Sequence, residues 1–297
     1  IVDDSPVTFG NWSPKNYEND FVGNITYRYA LQHSRNVAAV KIADEVGMTK
    51  VIKLAKEMGI STLTDQDYNL STALGGLTHG VTPLEMVQAY GVLANGGIKV
   101  QPTAILKIVD RNGQVVEENS IQEKRVVDEK DAAIITNMLE SVINGGTGGN
   151  AAIGRPAAGK TGTTDDSKDA WFVGYTPDLV AAVWIGDDYG SETLRGITGG
   201  DTPAIMWGQF MANALANTPA SDFSVPASAQ SAVSEGYYNP VKAQPKKEAA
   251  KDEKADKKDD KDKSKDEAVK DDSGSKDDAT EQKSNSSKSK KSSKKDR

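Results

Sequence analysis

Ala157-Ala158-Gly159-Lys160-Thr161-Gly162-Thr163-Thr164 is the stretch on which the reading of this chain turns. Small residues lead into a Lys-Thr-Gly triplet, and two β-branched, aromatic runs follow, 170–176 and 179–186, joined at Pro177-Asp178. This pattern predicts three strands, 158–164 included, with a tight turn between the last two. On a strand, Thr161 and Thr163 leave one face and Gly162 the other. Lys160 brings a fixed positive charge that needs no special pKa, and two hydroxyls beside one ammonium suit a carboxylate. Gly162 has no side chain, so an extended ligand can lie along the strand as an added strand. The N–H of Thr163 is then available to a developing oxyanion.

Upstream, Ser34-Arg35-Asn36 falls between two predicted helices. Thr26 is a good N-cap for a helix over 27–33. A second helix, 37–46, puts Val37, Val40 and Ala43 or Asp44 on related faces and stops at Gly47. A third, 49–58, stops at Gly59. A Ser and an amide two residues apart in such a connection can relay a proton and hold a peptide carbonyl. Residues 1–24 read as a surface-hugging irregular segment.

Thr82-Pro83-Leu84-Glu85 combines an N-cap, a first-turn Pro and a capping-box Glu, opening a helix to about Asn95. Runs 104–110 and 114–118 form a hairpin around Asn112-Gly113. Asp128 caps a long helix whose Ile134, Ile135, Met138, Leu139, Val142 and Ile143 share one apolar face, with Glu140 on its surface. Thr202-Pro203 opens a last helix to about Asn217. Helices, then an antiparallel sheet, then a covering helix make an α+β pattern.

Composition divides the chain. Residues 246–297 carry 18 basic and 15 acidic side chains, and their apolar residues are five Ala and one Val. Too little can be buried there to offset chain entropy, so this tail is expected to be disordered, with 221–245 a linker and 1–220 the folded domain. The first 245 residues hold 18 basic and 28 acidic side chains, a net −10, which argues against nucleic acid as partner. Two isolated histidines, His33 and His79, and no cysteine give no basis for a metal site, and no cofactor is expected.

The motifs stand in a matching context. Pro14, Asn16-Tyr17, Gly23-Asn24-Ile25-Thr26 and Ala30-Leu31 precede Ser34-Arg35-Asn36-Val37. Val81 to Met86, Ala89-Tyr90 and Ala94-Asn95-Gly96-Gly97 follow, then Gly145-Gly146-Thr147-Gly148, the Lys-Thr-Gly stretch and Ala170-Trp171-Phe172-Val173-Gly174-Tyr175-Thr176-Pro177. Over roughly residues 5–220 this closely resembles the transpeptidase domain of class A, bifunctional penicillin-binding proteins. Lys-Thr-Gly and Ser-x-Asn are two of that family's three motifs.

The resemblance implies a serine acyltransferase fold, a five-stranded antiparallel sheet between helical clusters. It implies cross-linking of peptidoglycan stem peptides ending in D-Ala-D-Ala, and acylation by β-lactams. Ser34 would move a proton toward the leaving amine and Asn36 would bind substrate backbone. Lys160, Thr161, Gly162 and Thr163 would hold the terminal carboxylate and the substrate strand. The nucleophile belongs to a Ser-x-x-Lys motif expected upstream of Ser34, where the sequence has none. Ser273 to Lys276, Ser287 to Lys290 and Ser292 to Lys295 fit the spacing, but Ser/Lys-rich composition generates them on the wrong side of Lys160. The nucleophile, and a membrane-anchoring helix holding the domain outside the cytoplasmic membrane, are therefore expected beyond this chain, which alone would be inactive. The rivals are a class A β-lactamase-like hydrolase, with Glu140 to Asn144 as its deacylating pattern, and a non-catalytic β-lactam sensor or scaffold. Arg35, where those lactamases carry Asp, disfavours the hydrolase.

The last fifteen residues, from Lys283, carry seven basic side chains against one acidic, Asp296. This end is where an anionic wall polymer or lipid surface would be met, each Lys contributing about 1 kcal/mol near such a surface; a solvated spacer is the alternative. Amide exchange beyond Lys246 is expected to be unprotected. Deleting 283–297 is expected to remove any salt-sensitive binding to anionic vesicles. Slow exchange contradicts the first expectation, and binding unchanged by the deletion contradicts the second.

Overall fold

A computed structural model describes residues 1–164, 167–190 and 192–235. The tail from Lys246, its three Ser-x-x-Lys sequences and the end of the expected linker lie outside the described residues.

The sequence-predicted strands form one antiparallel sheet, ordered β7 (Ala158–Thr163), β8 (Asp169–Tyr175) and β9 (Val180–Gly186). Among the described residues this sheet has three strands, where the resemblance implies five. Lys160 pairs with Val173 and Gly162 with Trp171. The alternating faces meet different helices. On one, Phe172 packs against Trp207 and Met211 of α6 (Thr202–Ala214), with the Phe172 and Trp207 rings 5.1 Å apart. Trp207 Nε1 donates to Ala181 O at 3.1 Å, so the largest buried side chain leaves no orphan donor. On the other face, Ala158 and Tyr175 pack against Leu139 and Val142 of α5 (Glu129–Ile143) and against Tyr90 of α4 (Pro83–Ala94). Tyr175 Oη and Thr136 Oγ1 share a hydrogen bond of 2.9 Å.

Three shorter helices complete the helical side: α1 (Tyr27–Gln32), α2 (Asn36–Val46) and α3 (Met48–Met58). Thr26 caps α1 by accepting from Tyr29 N, and Gly47 and Gly59 stop α2 and α3 at φ 89° and 125°. Val37, Val40 and Ala43 are buried while Asp44 is exposed, which resolves the alternative left open at that face.

Several expectations change. Residues 1–24 are anchored: β1 (Val2–Asp3) pairs with β2 (Asn24–Ile25), and Asp4 is fully buried. The hairpin is shorter than predicted, β4 (Lys107–Val109) against β5 (Val115–Glu118), with a register shift at Ile108/Val109. Two unpredicted strands, β3 (Ile98–Val100) and β6 (Glu123–Arg125), pair beside it. On α5 the buried face is Ala132, Ala133, Thr136, Asn137, Leu139, Val142 and Ile143, while Ile135 is exposed. Asp128 occupies the N-cap without a side-chain capping bond, and α6 stops at Ala214, short of Asn217. The stretch expected as linker is occupied as far as Glu235: Phe223 meets Tyr175 edge-on at 5.6 Å, Ala229 is fully buried, and α7 (Gln230–Glu235) follows.

Glu85 does more than its capping box. Its Oε2 accepts from Thr82 N at 2.9 Å while Thr82 Oγ1 accepts from Glu85 N at 3.2 Å. Its Oε1 also accepts from Ser61 N, Ser61 Oγ and Thr62 N at 2.6, 2.7 and 3.0 Å, tying the end of α3 to the start of α4. Burial opposes ionisation, but these donors outweigh it and hold the carboxyl at about 2, below its ordinary 4.5. Glu85→Ala is expected to cost about 2–4 kcal/mol in urea unfolding at neutral pH. The carboxylate's stabilisation is complete above pH 4.5 and is lost as pH falls toward 2. The gap between wild type and variant should therefore shrink with acid; a gap constant from pH 6 to 3 contradicts the assignment.

Candidate active site

Ser34 sits in the left-handed region at φ 52°, immediately after α1. Its N–H donates to Leu31 O at 3.2 Å and that of Arg35 to Ala30 O at 2.9 Å. These are the two bonds of a Schellman motif, which normally places Gly where Ser34 stands. A side chain there costs roughly 1–2 kcal/mol, so the surroundings must impose the geometry.

Arg35 imposes it. Its guanidinium is buried, with Nε and Nη2 donating to Asp4 Oδ2 at 3.0 and 2.6 Å. Its Nη1 donates to Asp20 Oδ1 at 2.7 Å and Nη2 also donates to Asp20 O at 2.9 Å. Asn16 Nδ2 donates to both Asp4 carboxylate oxygens, and Asn16 Oδ1 accepts from Val37 N at 3.1 Å. Arg35 thus turns into the protein, Ser34 and Asn36 turn out, and Asn36 Nδ2 donates to Lys15 O at 3.0 Å.

β7 reaches the same place from 126 residues away: Lys160 Nζ donates to Ser34 Oγ at 2.7 Å and to Thr161 O at 2.9 Å. Among the described residues β7 is an edge strand. Thr164 N donates to Asp169 O of β8, so by alternation the N–H groups of Thr161 and Thr163 face the open edge. Burial lowers the Lys160 pKa to about 8. Its charge is therefore not the indifferent one expected from sequence: the ammonium is held at neutral pH against a desolvation cost.

A cleft of about 490 Å³ opens here. Ser34, Asn36, Thr161 and Thr163 line it; Lys160 and Gly162 do not. The reason is the pleat: Lys160 and Gly162 leave the face opposite the two threonines, and the lysine reaches only the strand edge behind Ser34. Thr161 Oγ1 and Thr147 Oγ1 share a bond of 2.7 Å, and Thr163 Oγ1 accepts from Gly199 N at 3.0 Å.

His33, Thr147, Thr198 and Asp201 are among the lining residues that sequence reasoning did not name as site residues. The His33 ring lies 4.3 Å from that of Tyr29, and partial burial and the Arg35 charge lower its pKa. Thr147 was visible inside its glycine-rich loop, whereas nothing local marked 198–201. Glu140 is off this cleft: it is half-buried rather than on the surface, accepts from Asn137 Nδ2 at 3.0 Å, and burial raises its pKa. Among the described residues, no three His, Asp or Glu side chains gather as a metal site, and no helix is long and apolar enough to cross a membrane.

Residues 1–194 match the family described as the penicillin binding protein transpeptidase domain. The chain belongs to that family. Penicillin-binding protein 1A of Aquifex aeolicus is 41% identical over 217 residues, which is 73% of this chain and 29% of that relative. Penicillin-binding protein 1A of Rickettsia conorii is 35% identical over 256 residues, 76% of this chain and 32% of that relative. The chain thus spans about a third of the length of these penicillin-binding protein relatives. Among solved structures, penicillin-binding protein 1A from Haemophilus influenzae aligns with a TM-score of 0.70 at 27% identity, covering 76% of this chain and 40% of that one. The PonA1 protein from Mycobacterium tuberculosis in complex with penicillin V aligns at 0.68 and 30% identity, covering 76% and 66%. The class A penicillin-binding assignment and the transpeptidase fold read from the motifs agree with these relatives.

Asp4 is fully buried and Asp20 is 46% exposed, so the two partners of Arg35 should differ in weight. Asp4→Ala strands a buried guanidinium and is expected to cost about 3–5 kcal/mol. Asp20→Ala is expected to cost about 1 kcal/mol, because water replaces the lost carboxylate. Denaturant melts of both variants decide it; equal costs contradict the hierarchy.

Proposed function

We propose that this chain supplies most of the catalytic cleft of a peptidoglycan D,D-transpeptidase, acting outside the cytoplasmic membrane in a longer, membrane-anchored protein. The substrates are stem peptides ending in D-Ala-D-Ala, and β-lactams acylate the same site. The observation that carries this is the 2.7 Å contact between Lys160 Nζ and Ser34 Oγ, which joins β7 to the α1–α2 junction beside a cleft lined by Ser34, Asn36, Thr161 and Thr163.

The geometry supports the following roles. Thr161 and Thr163 meet the terminal carboxylate, and Lys160 supplies positive charge from behind Ser34. Because Lys160 donates to Ser34 Oγ, the Ser34 proton is free to point into the cleft, where a leaving amine needs one. Asn36 Nδ2 is engaged with Lys15 O, which leaves its Oδ1 for a substrate N–H. The edge of β7 accepts the substrate as an added strand, with Thr163 N–H toward the carbonyl under attack. The nucleophilic serine and its base lysine come from a Ser-x-x-Lys motif outside these 297 residues.

Two measurements test this. Residues 1–297 alone are expected to take no covalent label from a fluorescent penicillin, whereas the full-length protein labels stoichiometrically. In the full-length protein, Lys160→Ala is expected to slow acylation about thirty-fold, the worth of roughly 2 kcal/mol from a charge-assisted contact. Lys160→Arg should restore it only in part, because a planar fork cannot take the place of a compact ammonium. An unchanged rate in Lys160→Ala overturns the site.

A further inference from the structure

The hydroxyls of Thr161 and Thr163 can serve a carboxylate only if they present protons to it. A carboxylate accepts and never donates, and a hydroxyl has one proton and two lone pairs. The surroundings fix this for Thr163. Gly199 N donates to Thr163 Oγ1 at 3.0 Å, occupying a lone pair and leaving the proton free. Gly199 is pressed onto the β7–β8 pair so closely that a Cβ there would collide with Trp171 O and Gly162 O. Asp201 holds that approach: it stands at the N-cap of α6 but makes no cap, and its Oδ2 accepts from Thr198 N at 3.0 Å and Thr198 Oγ1 at 2.6 Å.

For Thr161 the neighbour is Thr147 Oγ1 at 2.7 Å. Either hydroxyl can donate while the cleft holds only water. Once Thr161 gives its proton to an anion, the shared bond survives only if Thr147 donates to Thr161. Hydrogen bonds in such a series polarise one another and strengthen the terminal donor.

The backbone pins Thr147 from two sides. Thr147 N donates to Gln32 O at 3.2 Å, two residues before Ser34. A Cβ on Gly146 would collide with Gln32 O, and one on Gly200 with Thr147 O. Asn150 Nδ2 donates to Gly200 O at 2.8 Å and closes the ring.

We propose that Thr147 is a positioning residue for the carboxylate subsite. It donates to Thr161 and so turns that hydroxyl outward, as Gly199 N–H does for Thr163, so that two protons converge on one anion. The proposal rests on the transpeptidase reading above, in which that anion is the terminal carboxylate of the stem peptide or the carboxylate of a β-lactam.

The test uses the full-length protein, with a penicillin and its methyl ester as paired probes. Thr147→Val keeps the shape and removes the donor; Thr147→Ser restores the donor. Acylation of wild type, Thr147→Val and Thr147→Ser is timed with both probes, alongside thermal melts. The expected result is a roughly tenfold slower reaction of Thr147→Val with the free acid, little change with the ester, and recovery in Thr147→Ser. Equal slowing toward acid and ester would mark a general structural role and overturn the proposal, as would an unchanged rate with the acid. A wild type that neither probe acylates overturns the transpeptidase reading, and this proposal with it.

Discussion

The buried guanidinium of Arg35 is the constraint on which the site depends. A charge taken from water must recover its solvation from fixed partners, and Arg35 does so from one buried and one half-exposed carboxylate and a backbone carbonyl. Because those partners lie at Asp4 and Asp20, the first twenty residues are drawn under the α1–α2 junction, and β1 and β2 zip beside it. A buried ion pair contributes little net stability compared with apolar packing of the same volume. What it contributes is a single allowed arrangement, in which Ser34 is forced through the left-handed region with its hydroxyl outward.

The second constraint is electrostatic. Lys160 stands on an edge strand, so its ammonium can curl past the strand's rim rather than point into the core. There it finds Ser34 Oγ and Thr161 O, two neutral acceptors, and the carboxylates of Asp4 and Asp20 are spent on Arg35. Among the described residues its hydrogen-bond partners are neutral, and burial lowers its pKa to about 8. At neutral pH it remains charged, and in the proposed site that charge acts from behind Ser34 on an anion in the adjacent cleft. A permanent carboxylate beside Lys160 would stabilise the protein more and bind a carboxylate ligand less.

Legibility followed the range of the interaction. The Thr82–Glu85 capping box, the glycine stops at 47 and 59 and the Asn112-Gly113 turn are each written within four residues, and all were readable. The alternation of β7 was readable too, and it put Thr161 and Thr163 on one face of the strand, the face that lines the cleft. The same alternation, followed one residue back, puts Lys160 on the other face; reading the triplet as one receptor overlooked that. Ser34 was recognisable as a motif but not as a helix-ending left-handed residue, since nothing local supplies the glycine that usually signals one. β3 and β6 escaped because Glu123-Lys124-Arg125 has no apolar alternation and is fixed by its pairing with Ile98–Val100. The fate of 221–235 was hidden for the same reason: Phe223 and Ala229 are isolated apolar residues whose partners lie on Tyr175 and elsewhere in the domain.

The glycines of the cleft show why its far wall could not be read from composition. Gly146, Gly199 and Gly200 read as ordinary loop residues, yet each marks a place where two backbones touch with no room for a Cβ. Their contacts run from the end of α1 to Thr147, from Thr147 to Gly200, and from Gly199 to the β7–β8 pair. The cleft is therefore walled by segments far apart in sequence that meet main chain to main chain. Main-chain contacts of this kind have no rotamers to relax, so they hold the hydroxyls of Thr147, Thr161 and Thr163 in fixed relation more firmly than long side chains would. A site that must offer protons along one edge and charge from behind it gains from that rigidity, because an orientation fixed by folding does not have to be fixed again on binding.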